Sequence, residues 1–173
     1  MERYADGDTS AFAALYDVIA PRLYAYLARN CRDDATARDL LQQSMLHLHR
    51  ARGSFRKGAA VLPWAYAISR RLLLDGARRA AREARLPIQT EERSSGGPHE
   101  DVEAAQLWSR IERAMKKLPE AQRTAYELVK LEGLTAKQAA EVLGWTLASV
   151  KLRVHRADVA IKEAIAKESE GEA

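Results

Sequence analysis

Apolar residues recur every three or four positions along almost the whole chain, the spacing that lines up side chains on one face of an α-helix. Phe12, Leu15, Tyr16 and Ile19 form one stripe, and Leu23, Tyr26 and Leu27 form another beyond Pro21. Leu40, Leu41, Ser44 and Leu48 keep the same rhythm, as do Leu62, Ala65, Ile68 and Leu72. No segment shows β-branched residues in sustained alternation, so strands are not expected. The pattern predicts an all-α protein.

The rhythm lapses once. Residues 87–103 contain Ser94-Ser-Gly-Gly-Pro98 and almost no large apolar side chain. Such a composition buries too little surface to offset the entropy of ordering. It predicts a flexible linker joining two small helical domains, 1–86 and 104–168. The last acidic residues, from Lys167 on, are expected to fray, with 169–173 a disordered tail.

Punctuation is clearest in the second domain. Pro119 and Glu120 suit a helix start, and Gly133 can end that helix after about Glu132. Thr135 followed by Gln138 fits a capping box for a short helix, Ala136 to Leu143, which Gly144 would stop. After Gly144-Trp-Thr146 a further helix runs from Leu147 past Asp158. Two helices joined by a glycine-containing turn of this length are the signature of a DNA-binding helix-turn-helix, which lays its second helix in the major groove. At 100° per residue, Val150, Val154, Ala157 and Ile161 share the face that must be buried. The opposite face carries Ala148, Lys151, Leu152, His155 and Arg156, flanked by Ser149 and Arg153. Lys and Arg can address guanine edges or phosphates, Ser149 a phosphate, and Leu152 a thymine methyl.

Charge adds a second surface. The net charge is only +4, yet residues 50–85 hold ten basic residues against Asp75 and Glu83, a local +8. A block of this kind attracts a polyanion and releases its counterions. Within it, Gly53-Ser-Phe-Arg-Lys-Gly58 reads as a loop bearing Phe55, Arg56 and Lys57. Pro63 and Trp64 then open a helix that runs to about Arg85 and carries Arg70, Arg71, Arg78, Arg79 and Arg82. Aromatic rings beside a cationic loop are what a single strand requires, because every base has a stackable face and a charged backbone. Trp64 and Tyr66 also fit a packed core. A third surface lies on the helix Ala35 to Arg50, capped by Asp33 or Asp34. Its inner face carries Leu40, Leu41 and Leu48, and its outer face Asp39, Gln42 and Gln43, a docking surface for a partner protein with basic side chains.

Composition bounds the rest. The chain has 173 residues, 47% of them apolar, enough for one domain or two small ones without staples. No apolar run approaches a membrane span and no signal-peptide stretch opens the chain, so it reads as soluble and cytoplasmic. The single Cys31 excludes an internal disulfide and a Cys-rich zinc site, and is expected to be a small buried apolar residue. His47 and His49 diverge on a helix, His99 falls in the linker and His155 on the groove face, so no metal site is expected. No nucleophile–base pair, phosphate loop or carboxylate pair stands at interpretable spacing. An enzyme is not expected, and no cofactor is implied.

With these residues in view, the chain resembles a bacterial RNA polymerase sigma factor of the extracytoplasmic-function (ECF) type. Ala11-Phe-Ala-Ala-Leu-Tyr16 with Ala20-Pro-Arg-Leu-Tyr24 resembles the opening of region 2, and Ala37-Arg-Asp-Leu-Leu-Gln42 its polymerase-binding helix. Phe55-Arg-Lys-Gly58, Leu62-Pro-Trp64 and Ala67-Ile-Ser-Arg70 resemble its promoter-facing part. Leu118-Pro-Glu120, Leu131-Glu-Gly-Leu-Thr135, Ala139-Ala-Glu-Val-Leu-Gly144 and Ser149-Val-Lys-Leu-Arg-Val-His-Arg-Ala157 resemble region 4. The resemblance implies binding to core polymerase, recognition of the −10 and −35 elements and promotion of transcription initiation.

Carried over by position, Asp39, Gln42 and Gln43 would face the β′ subunit of core polymerase, whose β subunit is an implied partner too, and the linker would thread toward the active-site channel. Phe55, Arg56, Lys57, Trp64, Arg70, Arg71, Asp75 and Arg78 would engage the −10 element, where a base is extruded. Ser149, Lys151, Leu152, Arg153, His155 and Arg156 would read the −35 element. Many such proteins are held by an anti-sigma protein, so that partner is implied too. Three positions depart from the family pattern: Gln43 where Glu is common, Arg71 where Asn is frequent, and Leu152 where a small polar residue is usual. The alternatives are a helix-turn-helix regulator that does not act as a sigma factor, and a sigma-like adaptor that binds an anti-sigma protein.

Overall fold

The structure is a computed structural model that describes residues 1–83 and 102–171; the part of the expected linker at 87–101 lies outside the described residues. Among those described there are eight α-helices and no strand, and the chain divides between Ser94 and Ser95 into two compact units. No helix among the described residues is long and apolar enough to cross a membrane.

The first unit contains α1 (Glu2–Ala5), α2 (Ala11–Asn30), α3 (Asp34–Ala51), a single 3-10 turn (Arg52–Ser54) and α4 (Val61–Glu83). Helices α2, α3 and α4 pack on one another around Ile19, Leu23, Leu27, Leu48, Tyr26 and Tyr66. The two tyrosine rings meet edge to face at 5.5 Å, an arrangement their quadrupoles favour. Asp33 caps α3 by accepting from the Thr36 amide at 2.7 Å.

The stripes on either side of Pro21 lie on a single helix, because α2 runs unbroken through the proline. A proline in a helix interior costs about 3 kcal/mol through a lost hydrogen bond and a ring clash. Here Pro21 and Asp17, whose carbonyl loses its partner, are both exposed, so water can serve that oxygen. Six buried side chains, Leu15 to Leu27, offset the remainder.

The second unit contains α5 (Val102–Lys116), α6 (Glu120–Tyr126), a π-helical turn (Glu127–Leu131), α7 (Ala136–Leu143) and α8 (Leu147–Gly171). Its core joins Ala114, Met115 and Leu118 to Ala157 and Ile161 of α8, with Ile111, Tyr126 and Leu131 packed against them. The helix expected to reach Glu132 widens after Tyr126: the Glu132 amide donates to the Glu127 carbonyl at 2.9 Å, five residues back. Two further bounds shift. Residues 102 and 103, expected as linker, begin α5, and the expected tail is helical as far as Gly171. The second difference has a visible cause, since Glu168 is ion-paired to Arg113 at 2.9 Å and Arg110 at 3.5 Å, tying the end of α8 to α5. The same guanidinium beside it holds the Glu168 carboxyl below its ordinary range.

Candidate nucleic-acid interfaces

The helix-turn-helix forms with the local devices its sequence announces. Thr135 and Gln138 close a reciprocal capping box at the start of α7. Gly144 ends that helix in the left-handed conformation, φ +67°, which a side chain would resist. Thr146 then caps α8, its hydroxyl accepting from the Ser149 amide at 3.2 Å. With both ends pinned, the phase of α8 follows. Val150, Val154, Ala157 and Ile161 are buried, and Ala148, Lys151, Leu152, His155 and Arg156 are exposed. Leu152 is 49% exposed, a large apolar side chain held in water on the face that carries the cations.

Arg153 behaves differently from its neighbours. Its guanidinium lies over the Trp145 ring, 4.6 Å from the centroid, and its Nη1 donates to the Ser149 carbonyl. Half-buried and stacked, it braces the turn against α8 rather than extending from the helix. Ser149, also half-buried, stands at the flank where the helical phase puts it.

In the first unit, the 3-10 turn delivers the chain into the loop Phe55–Ala60. The Ala59 amide donates to the Arg56 carbonyl at 3.1 Å, and Gly58 takes φ +77°, so Lys57 and Gly58 form the tip of a β-turn whose third residue needs a positive φ. Arg56 and Lys57 are exposed. Phe55 is not: it is 8% exposed, its ring 5.2 Å from that of half-buried Trp64. In this structure the Phe55 ring therefore presents no free face. The pair supports the loop from beneath.

The following helix starts at Val61 rather than Trp64, so Pro63 occupies its first turn, where an N–H has no helical partner in any case. Along it Arg71, Arg78, Arg79 and Arg82 are exposed and Arg70 half-buried. Arg78 is paired with Asp75 at 3.2 Å, so that carboxylate is engaged within its own helix.

On α3, Asp39, Gln42 and Gln43 all face outward. The Gln43 amide donates to the Asp39 carboxylate at 2.6 Å, four residues earlier. A glutamate there would set two like charges together; the amide orients Asp39 instead. Cys31, at the end of α2, is half-buried, and burial, with Asp33 nearby, pushes its thiol from 9.0 up to about 11.

Sequence reasoning missed α1 altogether. Tyr4 is 2% exposed, its ring 5.3 Å from Phe12 and beneath the Arg52 guanidinium at 5.8 Å, and its hydroxyl bonds His49 Nδ1. This anchor sets two carboxylates on the loop: Asp6 pairs with Lys57 at 2.8 Å, and Glu2 accepts from the Gly58 amide at 2.6 Å. Asp6 raises the Lys57 ammonium above its ordinary range. A single tyrosine three residues from the start is too short a signal to announce a helix. Among the described residues no group of three or more His, Cys, Asp or Glu is placed to hold a metal ion.

Comparison with known proteins agrees with this division. Residues 15–83 match the family model described as Sigma-70 region 2, and residues 108–157 that described as Sigma-70, region 4. The ECF RNA polymerase sigma factor SigM of Mycobacterium tuberculosis is 33% identical over 87% of this chain and 75% of its own length. The ECF RNA polymerase sigma factor SigF of Caulobacter vibrioides is 30% identical over 94% and 90%. Among solved structures, the sigma factor RpoE from Bartonella quintana, in complex with the anti-sigma factor NepR, superposes with a TM-score of 0.78 at 20% identity, covering 91% of this chain and 98% of that one. CnrH, in complex with the cytosolic domain of CnrY, gives 0.71 at 18% identity, covering 96% and 94%. These two show the shared fold. The matched regions fall on the two helical units in the order the sequence lays them out, and relatives at this identity span nearly the whole chain. The chain belongs to the RNA polymerase sigma factors of the extracytoplasmic-function type.

Proposed function

We propose that this sigma factor divides its labour between its units: α8 reads the duplex of the −35 element while the first unit, docked on core polymerase, captures the opened −10 strand. The observation that carries this reading is the two-sidedness of α8. Its four inward residues are buried without exception, and Lys151, Leu152, His155 and Arg156 are all presented outward. Lys151 and Arg156 take phosphates or guanine edges and Leu152 a thymine methyl, while Arg153 positions the helix through Trp145.

In the first unit, Arg56 and Lys57 on the loop and Arg71 and Arg78 on α4 hold the single strand, with Phe55 and Trp64 as the loop's support. Asp39, oriented by Gln43, and Gln42 meet a basic surface of the β′ subunit. The protein acts by binding and positioning, with the chemistry left to polymerase. A tether between the units makes the second contact intramolecular, which raises its effective concentration without new contacts. Because one structural relative, RpoE, is seen in complex with an anti-sigma factor, a protein of that kind is proposed as a regulatory partner here as well.

Transcription reconstituted with core polymerase on a promoter library tests the whole reading. The expected result is initiation at a defined pair of elements, lost in Asp39→Arg together with co-purification of polymerase. A dimer that binds a palindrome and ignores polymerase would replace this reading with an ordinary regulator.

A further inference from the structure

We propose that the tip of the 56–58 loop is a phosphate-binding notch, and that the carboxylates of α1 occupy it until a nucleic-acid backbone displaces them. The notch has two adjacent donors of the kind a phosphodiester takes, the Gly58 amide and the Lys57 ammonium, with Arg56 exposed beside them. Both donors are satisfied from within the chain, by Glu2 at 2.6 Å and Asp6 at 2.8 Å. A carboxylate presents its oxygens to such donors much as a phosphate does.

Three features suit an occupant that can leave. The Lys57 and Asp6 side chains are 67% and 56% exposed, so water and salt screen their attraction. A polyanion gains counterion release that an internal carboxylate does not. And α1 is fixed independently by buried Tyr4, so Glu2 and Asp6 can swing away while the helix stays anchored. Nothing lies within 4 Å of where a Cβ on Gly58 would stand, which leaves the notch open to an approaching backbone.

This inference rests on the reading of the loop as DNA-facing, and the test separates the two. The full chain is titrated against a fluorescent single-stranded deoxythymidine oligonucleotide of about 12 nucleotides, and binding is followed by anisotropy over a range of salt. Glu2→Gln with Asp6→Asn should tighten binding about threefold to tenfold and steepen the salt dependence by roughly 0.7 for the one freed ammonium, Lys57. The gain should shrink when Lys57→Ala is added, since only the Gly58 amide of the notch then remains to be freed. Asp17→Asn, an exposed carboxylate on α2, controls for bulk charge and should change affinity little. Circular dichroism should show unchanged helix content in every variant. Unaltered or weaker binding by the double variant, or a gain that Lys57→Ala leaves undiminished, overturns the inference. If Arg56→Ala and Lys57→Ala each leave wild-type affinity untouched, it is the DNA-facing reading that fails.

Discussion

The guanidinium of Arg153 sits 4.6 Å above the centre of the Trp145 ring, joining the turn of the helix-turn-helix to the helix that follows it. A cation over an indole face contributes about 0.5–1 kcal/mol at an exposed site, and this one also bridges to the Ser149 carbonyl at 3.3 Å. Trp145→Ala should therefore destabilise the second unit by about 1 kcal/mol in thermal melts, with packing loss included. It should lower affinity for promoter duplex without changing which sequence is preferred. A changed preference would mean that Arg153 touches bases directly.

Lys151 and Arg156 stand free on the outer face of α8. Lys151→Ala and Arg156→Ala should each weaken binding to a −35 duplex and reduce the salt slope by about 0.9 if the contact is to phosphate. A guanine contact would instead cost about 1–3 kcal/mol and relax specificity at one position. Leu152→Ser should alter the preferred sequence and leave the salt slope alone. Titrations at several salt concentrations separate these outcomes; no effect from either cation would remove α8 from the groove.

The caps around α7 offer a purely structural check. Thr135→Ala deletes one half of the capping box and should cost about 1 kcal/mol. Gly144→Ala forces a side chain into φ +67° and should cost about 1–2 kcal/mol, although a Cβ there meets no atom within 4 Å. Denaturant unfolding of the full chain, followed through the second unit's transition, measures both.

Cys31 sets an expectation for pH. Its thiol is pushed from 9.0 up to about 11, first by burial and then by Asp33. At pH 8 it should alkylate far more slowly than a free thiol, with the rate still climbing toward pH 11. Because the folded chain holds this proton more tightly than the unfolded one, the group's contribution to stability is complete below about pH 9. It is lost as pH rises toward 11. Rapid labelling at pH 7 would show that the sulfur is neither buried nor shielded.

Much of the second unit was legible in advance because its signals are local. A capping box, two glycine stops and a four-residue buried stripe on α8 each act within a turn or two of themselves, and all of them agree. The first unit was less transparent. Pro21 is a strong local breaker, yet α2 passes through it because buried residues on both sides outweigh the defect. Phe55 stands between Ser54 and Arg56 as a surface aromatic would, but it packs against Trp64, nine residues on.

By itself, then, the chain determined its helical class, the division into two units, the phase of α8 and the family, because these depend on periodicity and on short motifs. Tertiary structure alone decided that Tyr4 would pin a four-residue helix beneath Arg52, and so bring Glu2 and Asp6 onto a loop more than fifty residues away. It also decided that Glu168 would fasten the end of α8 to Arg113. Contacts between residues so distant in sequence arise only when packed cores bring their backbones together, and no local pattern of polar and apolar positions encodes that meeting.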